Sequence, residues 1–175
     1  MRDLGFQEMY GAVPEQDLQS IEREIGCALP DDYRRYLSTH GGGWAPRDRF
    51  FPVHWPANYP GSAQAPWQWV LNFLRCTPDA SAEGSISGTW RNLRIKESGD
   101  YGLPAELLPI VLAGGTAYLL LALSGQHSGK VFIVDVNDRP EEPDWDYYVP
   151  VAASFSLWLE SLVEAGAVPA EYRDV

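Results

Sequence analysis

Between residues 108 and 136 three β-branched and apolar runs alternate with turn residues, and no other part of the chain constrains the fold as strongly. The runs are Leu108 to Leu112, Ala117 to Leu123 and Lys130 to Val136. Gly114-Gly115 and Ser124-Gly125-Gln126-His127-Ser128-Gly129 supply the connections, the second hairpin-like though longer than the tightest turns. An antiparallel meander is the economical arrangement, with Tyr147 to Val151 as a further strand. The longest apolar stretch, Ile110 to Leu123, is broken by Gly114-Gly115-Thr116 and falls short of the roughly 20 residues needed to cross a bilayer. No membrane span is expected.

Helical patterns flank this region. After Pro14, Leu18, Ile21 and Ile25 recur at helical spacing among Glu15, Asp17, Glu22, Arg23 and Glu24, and Gly26 stops the pattern. A second helix opens at Pro30, whose preset φ and missing N–H suit the first turn. Asp31 and Asp32 complement the positive end of its dipole, Tyr33 and Leu37 share a face, and Gly41 to Gly43 end it without Cβ strain. Near the C-terminus Ser154 offers an N-cap to a helix with Phe155, Trp158, Leu159 and Leu162 in one stripe, ended at Gly166. From Gly41 to about Gly88 the chain is rich in tryptophan and proline and reads as irregular; Trp67 to Leu74 fits a strand or a helical turn equally. The order of helices, irregular segment, sheet and helix suits an α+β fold in which N- and C-terminal helices pack a largely antiparallel sheet, since no alternating β-α rhythm argues for a parallel one. A chain of 175 residues is long enough for one well-buried core and short for two, so a single domain over residues 1–175 is expected.

The formal charge of −11 argues against direct nucleic-acid binding, because phosphate backbones would repel such a chain. The charge is uneven: residues 135 to 174 hold ten acidic and two basic side chains, whereas residues 44 to 96 hold six basic and three acidic ones. Residues 1 to 10 contain Asp3 and Glu8 and no apolar core of a secretory signal, so a cytoplasmic location is expected. Cys27 and Cys76 lie far apart without C-x-x-C spacing, which suggests two buried thiols rather than a zinc site or disulfide framework.

Four segments, taken in order, carry a resemblance. They are Leu29-Pro30-Asp31-Asp32-Tyr33 through Gly41-Gly42, Leu107-Leu108-Pro109-Ile110 followed by Gly114-Gly115, Gly129-Lys130-Val131-Phe132, and Ala152-Ala153-Ser154-Phe155. The chain resembles the SUKH superfamily over roughly its whole length, and most closely its Smi/Knr-type branch. The resemblance implies an α+β fold and, in bacteria, an immunity protein that binds and neutralises a cognate toxin, often a nuclease, from a polymorphic toxin system. Fungal members look instead like regulatory protein-protein interaction modules, which is the alternative reading. The chain departs from the family pattern in a Trp/Pro-rich insert at about 43–94, and inserted loops are where partner specificity would be rebuilt.

The segment from Asp135 to Asp146 holds six carboxylates, Asp135, Asp138, Glu141, Glu142, Asp144 and Asp146, around Trp145. As a partner-binding surface it would steer a basic toxin and surround an aromatic anchor with a charged rim. As a solvated acidic loop it would only aid solubility. A calcium loop is disfavoured because Arg139 sits where an oxygen ligand is needed. Trp44, Trp55, Trp67, Trp69 and Trp90 are core residues in the ordinary case, with one or two facing a partner, and Trp44 is the candidate. Arg91 to Lys96 reads as an exposed strand face that could pair with the acidic third. His40, His54 and His127 show no zinc spacing, and Gly84 to Gly88 and Ser124 to Gly129 fail the G-x-S-x-G spacing of a nucleophile elbow. No catalytic residue, metal ligand or cofactor is assigned; the expected partner is a toxin domain with a basic surface, and the free protein is expected to be a monomer or weak homodimer.

Overall fold

The computed structural model describes residues 5–46, 49–52, 67–82, 84–94, 103–114, 116–135 and 145–173. Its centre is the expected meander. Strands β5 (Leu107–Ala113), β6 (Ala117–Ala122), β7 (Val131–Asp135) and β8 (Val149–Ala152) pair antiparallel in chain order. These strands lack a clean alternation of apolar and polar residues because both faces are covered: Leu119, Leu120, Leu121, Val131, Ile133 and Val134 are all fully buried. With β1 (Glu8–Met9), β2 (Gly43–Trp44) and β4 (Trp67–Phe73), the sheet runs in the order β1-β2-β4-β5-β6-β7-β8. Two further strands, β3 (Arg49–Pro52) and β9 (Val163–Glu164), pair with each other, and β3 also pairs with β4.

Helices α1 (Glu15–Ile25) and α2 (Asp31–His40) form where their periodicity places them, each closed by a left-handed glycine, Gly26 and Gly41. Gly41 has φ +72°, and any Cβ there would run into the carbonyl oxygen of Gly11, so only glycine fits this turn. Arg34 joins the two helices by donating from one guanidinium to Glu15 at 2.6 Å and Glu22 at 3.1 Å. Tyr33, Tyr36 and Leu37 are buried. Helix α4 (Phe155–Ser161) starts as expected, with the Ser154 hydroxyl accepting from the Leu157 N–H, and buries Phe155, Trp158 and Leu159. Ser156 N–H donates to the Asp32 carboxylate at 2.8 Å, tying the start of α4 to the start of α2.

The register identifies the sheet face on which α2 and α4 sit. Phe73, Val111, Leu119, Ile133 and Val149 are successive cross-strand partners from β4 to β8 and therefore share one face. Phe73 packs on Tyr36 at 5.6 Å and on Trp158 at 5.5 Å, while Phe155 lies 5.0 Å from Tyr36.

The structure revises several expectations. Pro30 precedes the second helix with extended ψ of 138°, and the helix begins at Asp31. The C-terminal helix stops at Ser161, short of Gly166, because Val163 and Glu164 are drawn into pairing with β3 and Arg49 meets Glu164 at 2.8 Å. The stretch that reads as irregular contains β2, β3, β4 and helix α3 (Ile86–Arg94), and Trp67 to Phe73 is a strand. Consequently Arg91 lies on a helix, not a strand face, and it donates to Glu24 of α1 at 2.6 Å instead of to the acidic third. Cys76 is buried but Cys27 is half-buried. Among the described residues no helix is long and apolar enough to cross a membrane.

Two outcomes test this packing. Burial, reinforced by Asp17 and Glu22, pushes the Cys76 thiol up to about 12. Burial, with the neighbouring Cys76 and Tyr36, raises Tyr33, and burial raises Tyr36. Groups held protonated in the fold contribute fully below their unfolded values, and the contribution is lost as pH rises through the folded ones. Stability from urea denaturation is therefore expected to decline from about pH 8.5 upward, the unfolded range of a cysteine thiol; a flat profile to pH 11 would contradict the burial of these groups. Separately, Ser154→Ala is expected to cost about 1 kcal/mol in the same assay through loss of the cap.

Candidate functional site

Sequence singles out eight positions as partner-facing. The described part of the acidic segment lies where β7 ends and β8 begins. Asp135 is the last residue of β7, half-buried, and its carboxylate accepts a hydrogen bond from the Thr116 hydroxyl beside β6. Part of its bonding capacity therefore holds the β6–β7 pair in register. Trp145 opens a 3₁₀ turn, Trp145–Tyr147, that leads into β8. Asp138, Glu141, Glu142 and Asp144 lie outside the described residues, as does the side chain of Asp146.

Trp145 is half-buried, and three rings hold it. His127 stacks on it at 4.7 Å, Phe132 meets it edge-on at 5.5 Å, and Tyr148 lies at 6.0 Å. Phe132 sits opposite Pro150 in the β7–β8 register, so strand pairing brings residues 127, 132 and 145 together although they are distant in sequence. Around them Gln126, His127, Lys130, Phe132, Trp145, Tyr148 and Pro150 line a groove of about 410 Å³. Lys130 Nζ lies 3.4 Å from His127 Nδ1, and Gln126 Nε2 lies 3.1 Å from His127 Nε2. His127, expected as a plain turn residue, thus forms one wall of the groove. Nothing in its glycine-rich surroundings signals this role, because the stack depends on a partner 18 positions along the chain.

Trp44 lies elsewhere. It belongs to β2 and is 36% exposed, one of three exposed large hydrophobic residues among those described, with Met9 and Leu157. Glu8 and Asn72 flank it in register, and Asn72 continues through Leu112 and Tyr118 to Val134, so Trp44 points to the face opposite Phe73. In sheet order β2 and β8 are separated by β4, β5, β6 and β7, five strand spacings or about 24 Å. Asp135, beside Thr116 at the β5–β6 turn, and Trp145, against His127 of the β6–β7 loop, both lie on the β7–β8 side of the sheet but in separate contacts, and Trp44 lies on the other side. Of the remaining tryptophans, Trp90 is buried, Trp67 and Trp69 are half-buried, and Trp55, like His54, lies outside the described residues. No group of three or more His, Cys, Asp or Glu side chains suited to a metal ion occurs among the described residues.

The SMI1 / KNR4 family (SUKH-1) model matches residues 12–161, from just before α1 to the last residue of α4. No curated protein matches the chain.

The ring contacts generate a direct test. Trp145→Ala removes three aromatic contacts, each worth about 0.5–1.5 kcal/mol beyond its area, and is expected to lower unfolding stability by on the order of 2 kcal/mol. Loss of the near-ultraviolet circular dichroism of a held tryptophan should accompany it. An unchanged urea midpoint would mean that Trp145 is not packed as described.

Proposed function

The chain belongs to the SMI1/KNR4 family (SUKH-1), and on that premise we propose that it is an immunity protein, which binds a cognate bacterial toxin and blocks the toxin's active or substrate-binding surface. It acts in the cytoplasm, as one domain, by steric and electrostatic complementarity and without turnover. The observation that carries this reading beyond the family is the charge: −11 overall, with ten of the acidic residues between 135 and 174. A surface of that sign raises the encounter rate with a basic partner and disfavours nucleic acid, so the protein competes for a nuclease-like surface as an acidic mimic of what that surface attracts. Support also comes from Trp145, a half-buried aromatic residue that closely follows the most acidic part of the sequence. Carboxylates on the rim of an interface set association rate and register, and buried aromatic anchors set its lifetime.

The test must separate contact from folding, because Trp145 is held by three rings. Co-expression with a toxin-like domain encoded by a neighbouring gene should restore growth. Asp144→Asn with Asp146→Asn, leaving Trp145 in place, should slow association several-fold while the unfolding midpoint is unchanged. The wild-type association rate should fall steeply as salt shortens the screening length to less than about 8 Å. Protection that is absent with every neighbouring toxin-like domain would favour the regulatory module instead. A salt-independent association rate would remove the electrostatic part.

A further inference from the structure

The described linings of the two aromatic grooves carry different charged side chains. The one at Trp145 includes Lys130, whereas the one at Trp44 is lined by Gln7, Glu8, Trp44, Ala45, Val70 and Leu71, with Glu8 as its one charged side chain. We propose that the Trp44 groove is a receptor for a single basic side chain, an arginine, presented by the partner. The proposal rests on the immunity reading for the partner's basic surface and adds to it a defined contact.

The geometry is set by strand pairing. Glu8 of β1 and Trp44 of β2 are direct cross-strand partners, so their side chains leave the sheet on the same face with Cβ atoms about 5 Å apart. The backbone around them is fixed: Gln7 N–H donates to the Trp44 carbonyl at 3.0 Å, and Ala45 N–H donates to the Leu71 carbonyl at 2.9 Å. Gly43 holds φ +149°, and a Cβ there would collide with the Glu8 carbonyl oxygen, so the close approach of β1 to β2 requires glycine. Among the described residues no cation pairs with the Glu8 carboxylate, and its residue is exposed. Trp44 is 36% exposed, on a sheet whose central strands β5 and β6 are largely buried.

An exposed indole beside an unneutralised carboxylate, in a groove whose lining also includes the apolar residues Ala45, Val70 and Leu71, has the three parts an arginine needs. The guanidinium lies over the indole face, where the ring quadrupole attracts a cation. Its planar fork donates to the Glu8 carboxylate, which a lysine ammonium does less well. Its methylene stem rests on the apolar wall. The cavity, about 430 Å³, holds one such side chain. A carboxylate-bearing side chain would face Glu8 and be repelled, and a purely apolar one would leave Glu8 desolvated without a partner.

The protein, with its backbone amide and tryptophan indole N–H resonances assigned, is titrated with the blocked tripeptides Ac-Gly-Arg-Gly-NH2, Ac-Gly-Lys-Gly-NH2 and Ac-Gly-Gln-Gly-NH2. The arginine peptide is expected to shift Trp44 and its neighbours Glu8 and Ala45 in a saturating manner, the lysine peptide more weakly, and the glutamine peptide not at all. Glu8→Gln should weaken arginine-peptide binding at least about fivefold while the other tryptophan resonances stay in place, which separates lost charge from lost fold. Equal shifts with the glutamine peptide, or saturable shifts confined to residues 135 to 146, would overturn the proposal. Because the peptides replace the toxin, this result stands apart from growth protection: protection without peptide binding removes the groove, and peptide binding without protection removes the immunity reading.

Discussion

The aromatic contact between Tyr36, Phe73, Phe155 and Trp158 is the constraint on which the rest of the structure depends. It draws together α2, β4 and α4 from three distant parts of the chain, with Phe73 within 5.6 Å of both Tyr36 and Trp158. Four large buried rings linked by four ring contacts remove much apolar area from water, and their tilted geometries add to that burial. Once α2 is seated on the sheet, Arg34 positions α1 through Glu15 and Glu22, and Asp32 receives the first turn of α4. Once α4 is seated, the chain leaves it at Leu162 and delivers Val163 and Glu164 to β3.

With α2 and α4 on the Phe73 face, the opposite face carries Trp44 and Phe132. Trp44 lies near one edge of that face, and the Phe132 and Trp145 contact lies near the other. Their chemical surroundings differ, Glu8 beside the first and Lys130 beside the second. On the proposed immunity reading, two separated aromatic anchors with different charged neighbours would favour one docking orientation over its reverse. A net acidic surface brings the partner near, and local polarity of this kind would decide how it settles.

Much of the fold was legible because its signals are local. Leu18 and Ile21 at helical spacing, the glycines at 26 and 41, the Ser154 cap and the aliphatic strands around 110, 120 and 133 each depend on residues a few positions apart. The Trp/Pro-rich stretch was not legible in the same way. Strand β4 has no apolar period of its own; it is a strand because β2, β3 and β5 supply its hydrogen bonds, and those partners come from both directions along the chain. Likewise the helical stripe through Leu162 runs past the true end of α4, because pairing with β3 outcompetes another helical turn.

The candidate site divides along the same line. The sequence by itself determined the net charge, its concentration after residue 135, the presence of Trp44 and Trp145, and the periodicities that make an α+β chain, because composition and local spacing need no partner. Only the tertiary structure decided that His127 and Phe132 hold Trp145, that Asp135 is engaged by Thr116, that Glu8 stands beside Trp44, and that the two tryptophans lie toward opposite edges of the sheet. The reason is physical: these neighbours are chosen by strand register, and register is set by burying both faces of the whole sheet at once, not by any segment alone.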